Sequence, residues 1–295
     1  MRGGRFHRLL LPPLTPALSP HRGGERGRPN LRILITNDDG IHAKGLDILR
    51  TIALGISPDV WTVAPETNQS GTAHSMTLHE PLRLRQIEPR IHAVAGTPTD
   101  CVIMGVRHIL KDQPPDLILS GINHGSNLAE DITYSGTVAA AMEGTIFGIR
   151  SIALSLMLGH DEYGNGERRA LWDTPLSHAP ALIAKLLDGD WRPGTFLNIN
   201  FPDSKPEDVK GVAVTRQGVR DQALLNIESR SDPWGTPYFW FGFGRRKSTL
   251  VKGTDLAAIA ETKISVTPLS LDFTDRDGLA TLEKRLAIQP TNPKA

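Results

Sequence analysis

Between residues 31 and 156 the chain alternates short aliphatic runs with stretches of helical character, and most of the runs stop at a polar segment containing glycine. That rhythm limits the possible folds more than any other feature. Residues 31–36, 59–64, 91–94, 116–119 and 151–156 read as strands, largely buried on both faces. Helices are expected near 46–54, 101–110 and 136–147, then at 176–187, with a further strand at 196–200. Strands alternating with helices imply parallel βαβ units, so the expected class is α/β, a doubly wound, mostly parallel sheet with helices on both faces.

Composition narrows the partners. The chain has 295 residues and 39% apolar content, enough for one large α/β domain, and no apolar run is long enough to span a bilayer. Its formal charge of +1 hides an asymmetry. The first thirty residues hold six arginines against the single acid Glu25, so the rest of the chain is mildly acidic. A nucleic-acid polymer is therefore not the expected partner, and neither is a membrane. Cys101 is the only cysteine, which rules out an intrachain disulfide and a thiolate zinc cage and fits a cytoplasmic location. Cys101 itself reads as a small buried residue.

Residues 1–30 carry five prolines and several glycines and are expected to be a disordered extension outside the fold, such as an upstream start codon adds. The folded part is expected over 31–272, with a core at 31–200 and a hairpin region at 205–272. A tail follows at 273–295, in which a helix is an option. Residues 212–216 alternate like a strand, and the aromatic run Tyr238-Phe239-Trp240-Phe241 is expected to pair with them. An isolated ribbon does not bury such aromatics, so it either covers the core or reaches a second subunit, the latter being the preferred expectation.

Four polar clusters follow strands or open helices: Asn37-Asp38-Asp39-Gly40, Asn68-Gln69-Ser70-Gly71, Thr97-Pro98-Thr99-Asp100, and a longer one from Ser120 through Asn123, His124 and Asn127 to Tyr134-Ser135-Gly136-Thr137. In a parallel sheet these ends share one edge, where ligands bind. Adjacent carboxylates at Asp38 and Asp39 repel unless something positive joins them. Alternatively Asp38-Asp39-Gly40 is a turn that caps the next helix. Carboxylates, hydroxyls and amide oxygens are hard ligands suited to Mg²⁺ or Mn²⁺, and Ser135-Gly136-Thr137 at a helix start offers backbone donors to an anion. Any one cluster also fits ordinary loop chemistry; four on one edge favour a site. No G-x-G-x-x-G follows the first strand, and neither a P-loop nor a G-x-S-x-G elbow occurs. His42, His74 and His124 flank the clusters as candidate acids, ligands or orienting groups.

Five ordered blocks carry a resemblance. They are residues 37–43, Ala64-Pro65 with 68–71, residues 96–102, residues 120–125 and residues 134–144. Together they resemble the stationary-phase survival protein SurE family of 5'/3'-nucleotidases, with weaker matches at 253–255 and 265–268. The resemblance implies a Rossmann-like domain whose C-terminal β-hairpin and helix part assembles a homodimer or tetramer. It implies one divalent metal per subunit at the positions matching Asp38, Asp39, Ser70 and Asn123, and hydrolysis of nucleoside monophosphates, in some members also 3'-nucleotides or short polyphosphate. Lys44 departs from the family, which usually has proline there.

The mechanism expected on this footing is metal-assisted phosphomonoester hydrolysis. Asp38, Asp39 and Asn123 act at the reacting centre. Gly40, Gly71, Asn127, Ser135, Gly136 and Thr137 cradle the phosphate. Asp38 is a candidate base or nucleophile, and His42 or His124 a candidate acid for the leaving alkoxide. Two other classes fit parts of the pattern: a non-catalytic nucleotide- or metal-sensing module, and a glycosyltransferase-like enzyme, which lacks an obvious acceptor domain here.

Overall fold

The computed structural model describes residues 31–159, 169–220, 225–243 and 250–286. The extension expected over 1–30 and the end of the tail lie outside the described residues. A nine-stranded sheet forms the centre, in the order β3-β4-β2-β1-β5-β6-β7-β11-β8. Its inner strands are β1 (Ile33–Thr36), β2 (Val60–Pro65), β4 (Ile91–Val94), β5 (Leu117–His124), β6 (Arg150–Leu156) and β7 (Thr195–Phe201), all parallel to their neighbours in that series. The expected strands are all present. The remaining three are β3 (Leu84–Glu88), antiparallel to β4, β11 (Ile264–Ser270), antiparallel to β7, and β8 (Val212–Val214), parallel to β11.

The doubly wound character follows from alternation along the strands. Ile33 and Ile35 of β1 and Leu117 and Leu119 of β5 join one core cluster, which takes in α1 (Lys44–Ile56) through Leu46, Leu49 and Ile52 and α4 (Asp173–Leu187) through Ala179 and Ile183. Leu34 and Ile118 face the other way. They meet α2 (Pro98–Met104) through Cys101 and Val102, and α3 (Gly136–Ile146) through Ala140. Cys101 is thus a fully buried packing residue, and burial pushes its thiol pKa up. Each face of β1 is closed by helices, which is why its four residues are all buried.

Arg32 closes the opposite end of the sheet. Its Nε donates to Asp59 Oδ2 at 2.7 Å, its Nη1 to the Gln113 carbonyl at 2.7 Å, and its backbone N–H to Asp116 Oδ2 at 2.8 Å. The arginine that interrupts the first aliphatic run therefore ties together the segments that enter three neighbouring strands.

The pairing expected for the aromatic run is corrected by the structure. β10 (Pro237–Phe243) pairs not with residues 212–216 but with β9 (Leu225–Ser231), as a separate antiparallel two-stranded sheet. The physical reason is the turn between them. Asp232 Oδ1 accepts the N–H groups of Trp234 and Thr236, and the Asp232 N–H donates to the Thr236 carbonyl, so the chain reverses at once and the nearest partner wins. Val212–Val214 is used instead at the sheet edge beside β11. Two further α-helices occur among the described residues, α5 (Asp255–Ala260), capped by Thr254, and α6 (Arg276–Leu286), which buries no residue. No helix among the described residues is long and apolar enough to cross a membrane.

α1 starts under tight constraint. A Cβ at Gly45 would lie 1.9 Å from the Ile122 carbonyl oxygen and 3.2 Å from the Trp172 ring. Alanine is the better helix former by about 1 kcal/mol, but that gain is small beside a backbone collision. Gly45→Ala is expected to lose about 3 kcal/mol or more of unfolding free energy, measured by urea denaturation. A variant as stable as the parent would contradict this packing.

Candidate active site

Strand order reverses between β1 and β5: β2 and β4 lie to one side, β6 and β7 to the other. Loops leaving two such strands diverge and open a crevice, the usual ligand site of an open α/β sheet. Asn37-Asp38-Asp39-Gly40 leaves β1, and Asn123 and His124 end β5.

All four polar clusters meet at this crevice. The Asp38 carbonyl accepts the Gln69 N–H at 2.7 Å, which brings in the second cluster. Asp39 Oδ2 accepts the His124 N–H at 3.0 Å, bringing in β5. Thr137 Oγ1 donates to Asp38 Oδ1 at 2.5 Å, adding the start of α3. A Cβ built on Gly136 would sit 2.8 Å from Asp38 Cβ and 3.0 Å from Pro98 Cγ, so only glycine lets α3 and the third cluster close on Asp38. The Asn37 side chain braces the turn from below, Nδ2 donating to the Gly40 carbonyl at 2.9 Å.

Electrostatics make the crevice unusual. Asp38 is 3% exposed and Asp39 is half-buried. Burial, opposed by the Thr137 hydroxyl and reinforced by the neighbouring Asp39 charge, pushes the Asp38 pKa up to about 6. None of the ion pairs among the described residues involves either aspartate. A paired carboxylate, one member desolvated and neither neutralised by a cationic side chain, fits a bound divalent cation. So do the carboxylate, hydroxyl and amide oxygens of Asp38, Asp39, Thr137 and Asn123, which are hard donors. Among the described residues no three His, Cys, Asp or Glu side chains cluster as a metal cage, so a cation here would draw on hydroxyl and amide oxygens as well.

Ser70 and Asn123, the other expected ligands, each lie one residue from a tether to the aspartates, at Gln69 and His124. Ser70 is exposed, in a tight turn where its N–H donates to Asn68 Oδ1 at 2.8 Å. Asn123 Nδ2 donates to the Gly125 carbonyl at 2.9 Å, which leaves its Oδ1 as the acceptor end. Gly71 follows at φ +80°, exposed.

The expected phosphate residues divide. Gly40, Gly136 and Thr137 line the aspartate turn. Ser135 caps α3, its Oγ accepting the Val138 N–H at 3.1 Å. Asn127 sits in a buried amide network: its Nδ2 donates to Ser155 Oγ at 2.8 Å, its N–H to Asn200 Oδ1 at 2.9 Å, and its carbonyl accepts from Asn198 and Asn200. Thr97 and Asp100 form a capping box for α2, and Asp100 also holds Thr77 through the side-chain hydroxyl (2.6 Å) and the N–H (3.0 Å).

Besides the Asn198–Asn200 amides on Asn127, two contacts at the crevice are not evident from the sequence. Glu143, buried inside α3, meets His74 Nε2 at 2.9 Å and anchors the segment that follows Ser70; a lone acid among the small residues of that helix was the available signal. Trp172, at the start of α4, stacks on His124 with ring centroids 5.9 Å apart and planes 22° from parallel. Nothing local in the sequence marks that contact.

The Survival protein SurE family model matches residues 33–223. The chain is 59% identical over 250 residues to the 5'-nucleotidase SurE of Methylorubrum extorquens (strain PA1), covering 84% of this chain and 96% of that protein. It is 54% identical over 259 residues to the protein of the same name from Brucella canis (strain ATCC 23365 / NCTC 10854 / RM-666), covering 88% and 100%. Among solved structures, that of the SurE protein from Aquifex aeolicus superposes with a TM-score of 0.73 at 39% identity, covering 86% of this chain and 99% of that one.

The sign of the Asp38 effect is testable without any metal. Its folded pKa is raised from 3.8 to about 6, so the native state binds a proton more tightly than the unfolded chain. Stability therefore falls as pH rises from about 4 to 6, and the penalty is complete above that. In chelator at pH 8, Asp38→Asn is expected to be more stable than the parent by on the order of 1–3 kcal/mol, and the difference is expected to shrink towards zero near pH 4. Chemical denaturation at the two pH values decides it; a destabilised variant at pH 8 would contradict the burial argument.

Proposed function

The chain belongs to the SurE family, and from that premise we propose that it is a divalent-metal-dependent 5'-nucleotidase, hydrolysing nucleoside 5'-monophosphates to nucleoside and phosphate. 3'-Nucleotides and short polyphosphate fall within the same proposal, as does a cytoplasmic site of action. The observation that carries it is the buried Asp38 beside Asp39, with no ion pair to either among the described residues.

Asp38, Asp39, Ser70 and Asn123 are the side chains that would hold Mg²⁺ or Mn²⁺. When bound, such an ion neutralises phosphate charge and makes hydroxide accessible near neutral pH. The protein's own residues supply position. Thr137 fixes the Asp38 carboxylate through its 2.5 Å hydrogen bond, and the His124 N–H fixes Asp39. Backbone N–H groups at Gly40, Gly71 and Gly136, with the start of α3, form the donors for phosphate oxygens. Ser135 and Asn127 contribute by holding the helix start and the loop after β5 in shape. His42 and His124 are both exposed at the crevice and are the candidates to protonate the leaving alkoxide; Asp38 is the candidate base.

Phosphate release from AMP, with Mn²⁺ or Mg²⁺ and with excess chelator, tests the reading. Activity is expected only with metal, and Asp39→Asn is expected to lower it by about a thousand-fold or more while the fold persists. Full activity in chelator would point to a metal-free covalent route. AMP binding without phosphate release would make the chain a sensing module.

We also propose that the β9–β10 ribbon packs against a second copy. Phe239, Trp240 and Phe241 are 61%, 60% and 74% exposed, on both faces of a sheet of only two strands, and such a sheet is marginal in water by itself. Replacing Phe239 and Phe241 together by Ser is expected to shift the mass measured by light scattering from a dimer or tetramer to a monomer. An unchanged oligomer would remove the ribbon from the interface.

A further inference from the structure

A nucleoside monophosphate with its phosphate at the Asp38–Asp39 turn must place its base several ångströms to one side, and among the described residues the crevice offers two aromatic sides. One is Tyr134, 61% exposed, before α3. The other is the His124–Trp172 pair. We propose that the stacked His124–Trp172 pair is the surface on which the nucleobase lies. This deepens the nucleotidase reading and rests on it.

Three observations separate this pair from Tyr134. First, the root of His124 is fixed to the reacting centre, since its N–H donates to Asp39 Oδ2 at 3.0 Å. Second, its ring is ordered by stacking while the residue remains exposed, and an accessible ring already held flat is what a base stacks on without a further loss of side-chain freedom. Third, Trp172 is itself held. It is half-buried against the core cluster that contains Ile122, its ring would touch a Cβ at Gly45 at 3.2 Å, and its carbonyl accepts the Leu176 N–H at 3.3 Å at the start of α4. The Tyr134 backbone is tethered, its carbonyl accepting the Ala73 N–H at 3.2 Å, but none of the ring contacts among the described residues orders its side chain.

Stacking reads the face of a base and not its edge, because every base presents a π-face. The pair therefore assigns the substrate class as nucleotides of low base selectivity, with purines ahead of pyrimidines through their larger area. Nothing in this pair provides the fixed donor and acceptor pattern needed to tell adenine from guanine.

The test compares AMP with ribose 5-phosphate, which keeps sugar and phosphate and lacks the base. Full-chain parent, Trp172→Ala, Trp172→Phe, His124→Leu and Tyr134→Ala are assayed with Mn²⁺, and calorimetric binding of both compounds is measured in parallel. In the parent, kcat/KM for AMP is expected to exceed that for ribose 5-phosphate by about ten- to a hundred-fold. Trp172→Ala and His124→Leu are expected to collapse that ratio towards one through KM, Trp172→Phe to restore most of it, and Tyr134→Ala to leave it in place. Losing the proton-donor candidate in His124→Leu moves kcat for both compounds together, so the ratio isolates the base. A ratio unchanged in Trp172→Ala and Trp172→Phe, or lost in Tyr134→Ala instead, overturns the proposal. If the parent hydrolyses neither compound, the nucleotidase reading fails separately, and the binding ratio still decides whether the base is held at this pair.

Discussion

The crevice depends on one unfavourable interaction. Two neighbouring carboxylates, Asp38 and Asp39, stand at the mouth of a strand whose residues are all buried, and one of the two is itself almost sealed from water. Left alone, that arrangement favours a proton on Asp38, as its raised pKa records. Much of the surrounding architecture serves to hold the pair together regardless: the Thr137 hydroxyl on Asp38, the His124 N–H on Asp39, the Gln69 N–H on the Asp38 carbonyl, and Asn37 bracing the turn. Those contacts come from four separate segments. Restraints that keep like charges adjacent suit the proposed divalent cation.

The small residues of α3 are the packing counterpart of that constraint. A Cβ on Gly144 would sit 2.4 Å from Ser151 Oγ and 2.6 Å from Ile118 Cδ1, and Ala139, Ala140 and Ala141 are almost fully buried. The helix therefore lies close on the sheet, and its first turn, Gly136 and Thr137, is delivered against Asp38. Glu143 breaks the run of small side chains one helical face away and holds His74, tying down the segment that presents Ser70. Packing against the sheet and positioning of the turn are thus properties of one helix.

The central sheet was legible in the sequence because its strands are covered on both faces and so read as short, mostly aliphatic runs; β1, β2, β5 and β6 fall within two residues of expectation at their starts. The polar clusters were legible because chain topology alone sends them to one edge. Of the marginal strands, β8 was expected at 212–216, but β3 and β11 were not. β3 is largely exposed, and β11 carries Pro268, which is tolerated because β8 pairs only as far as Val266 and leaves that stretch of β11 edge-like on that side. The aromatic run of β10 was recognised as a strand but matched to the wrong partner, since the turn at Asp232 works through side-chain hydrogen bonds that hydrophobic pattern does not reveal. Trp172 and Asn198–Asn200 were missed for a related reason: each acts through contacts some 48 to 73 residues away in the chain.

The proposed cation at Asp38 and Asp39 is decided by anomalous diffraction from crystals soaked in Mn²⁺. One strong anomalous peak per chain is expected, within coordinating distance of oxygens from both aspartates and of Ser70 or Asn123. Saturating Mn²⁺ with no peak at the turn, or the two carboxylates turned apart with the ion bound elsewhere, would contradict it.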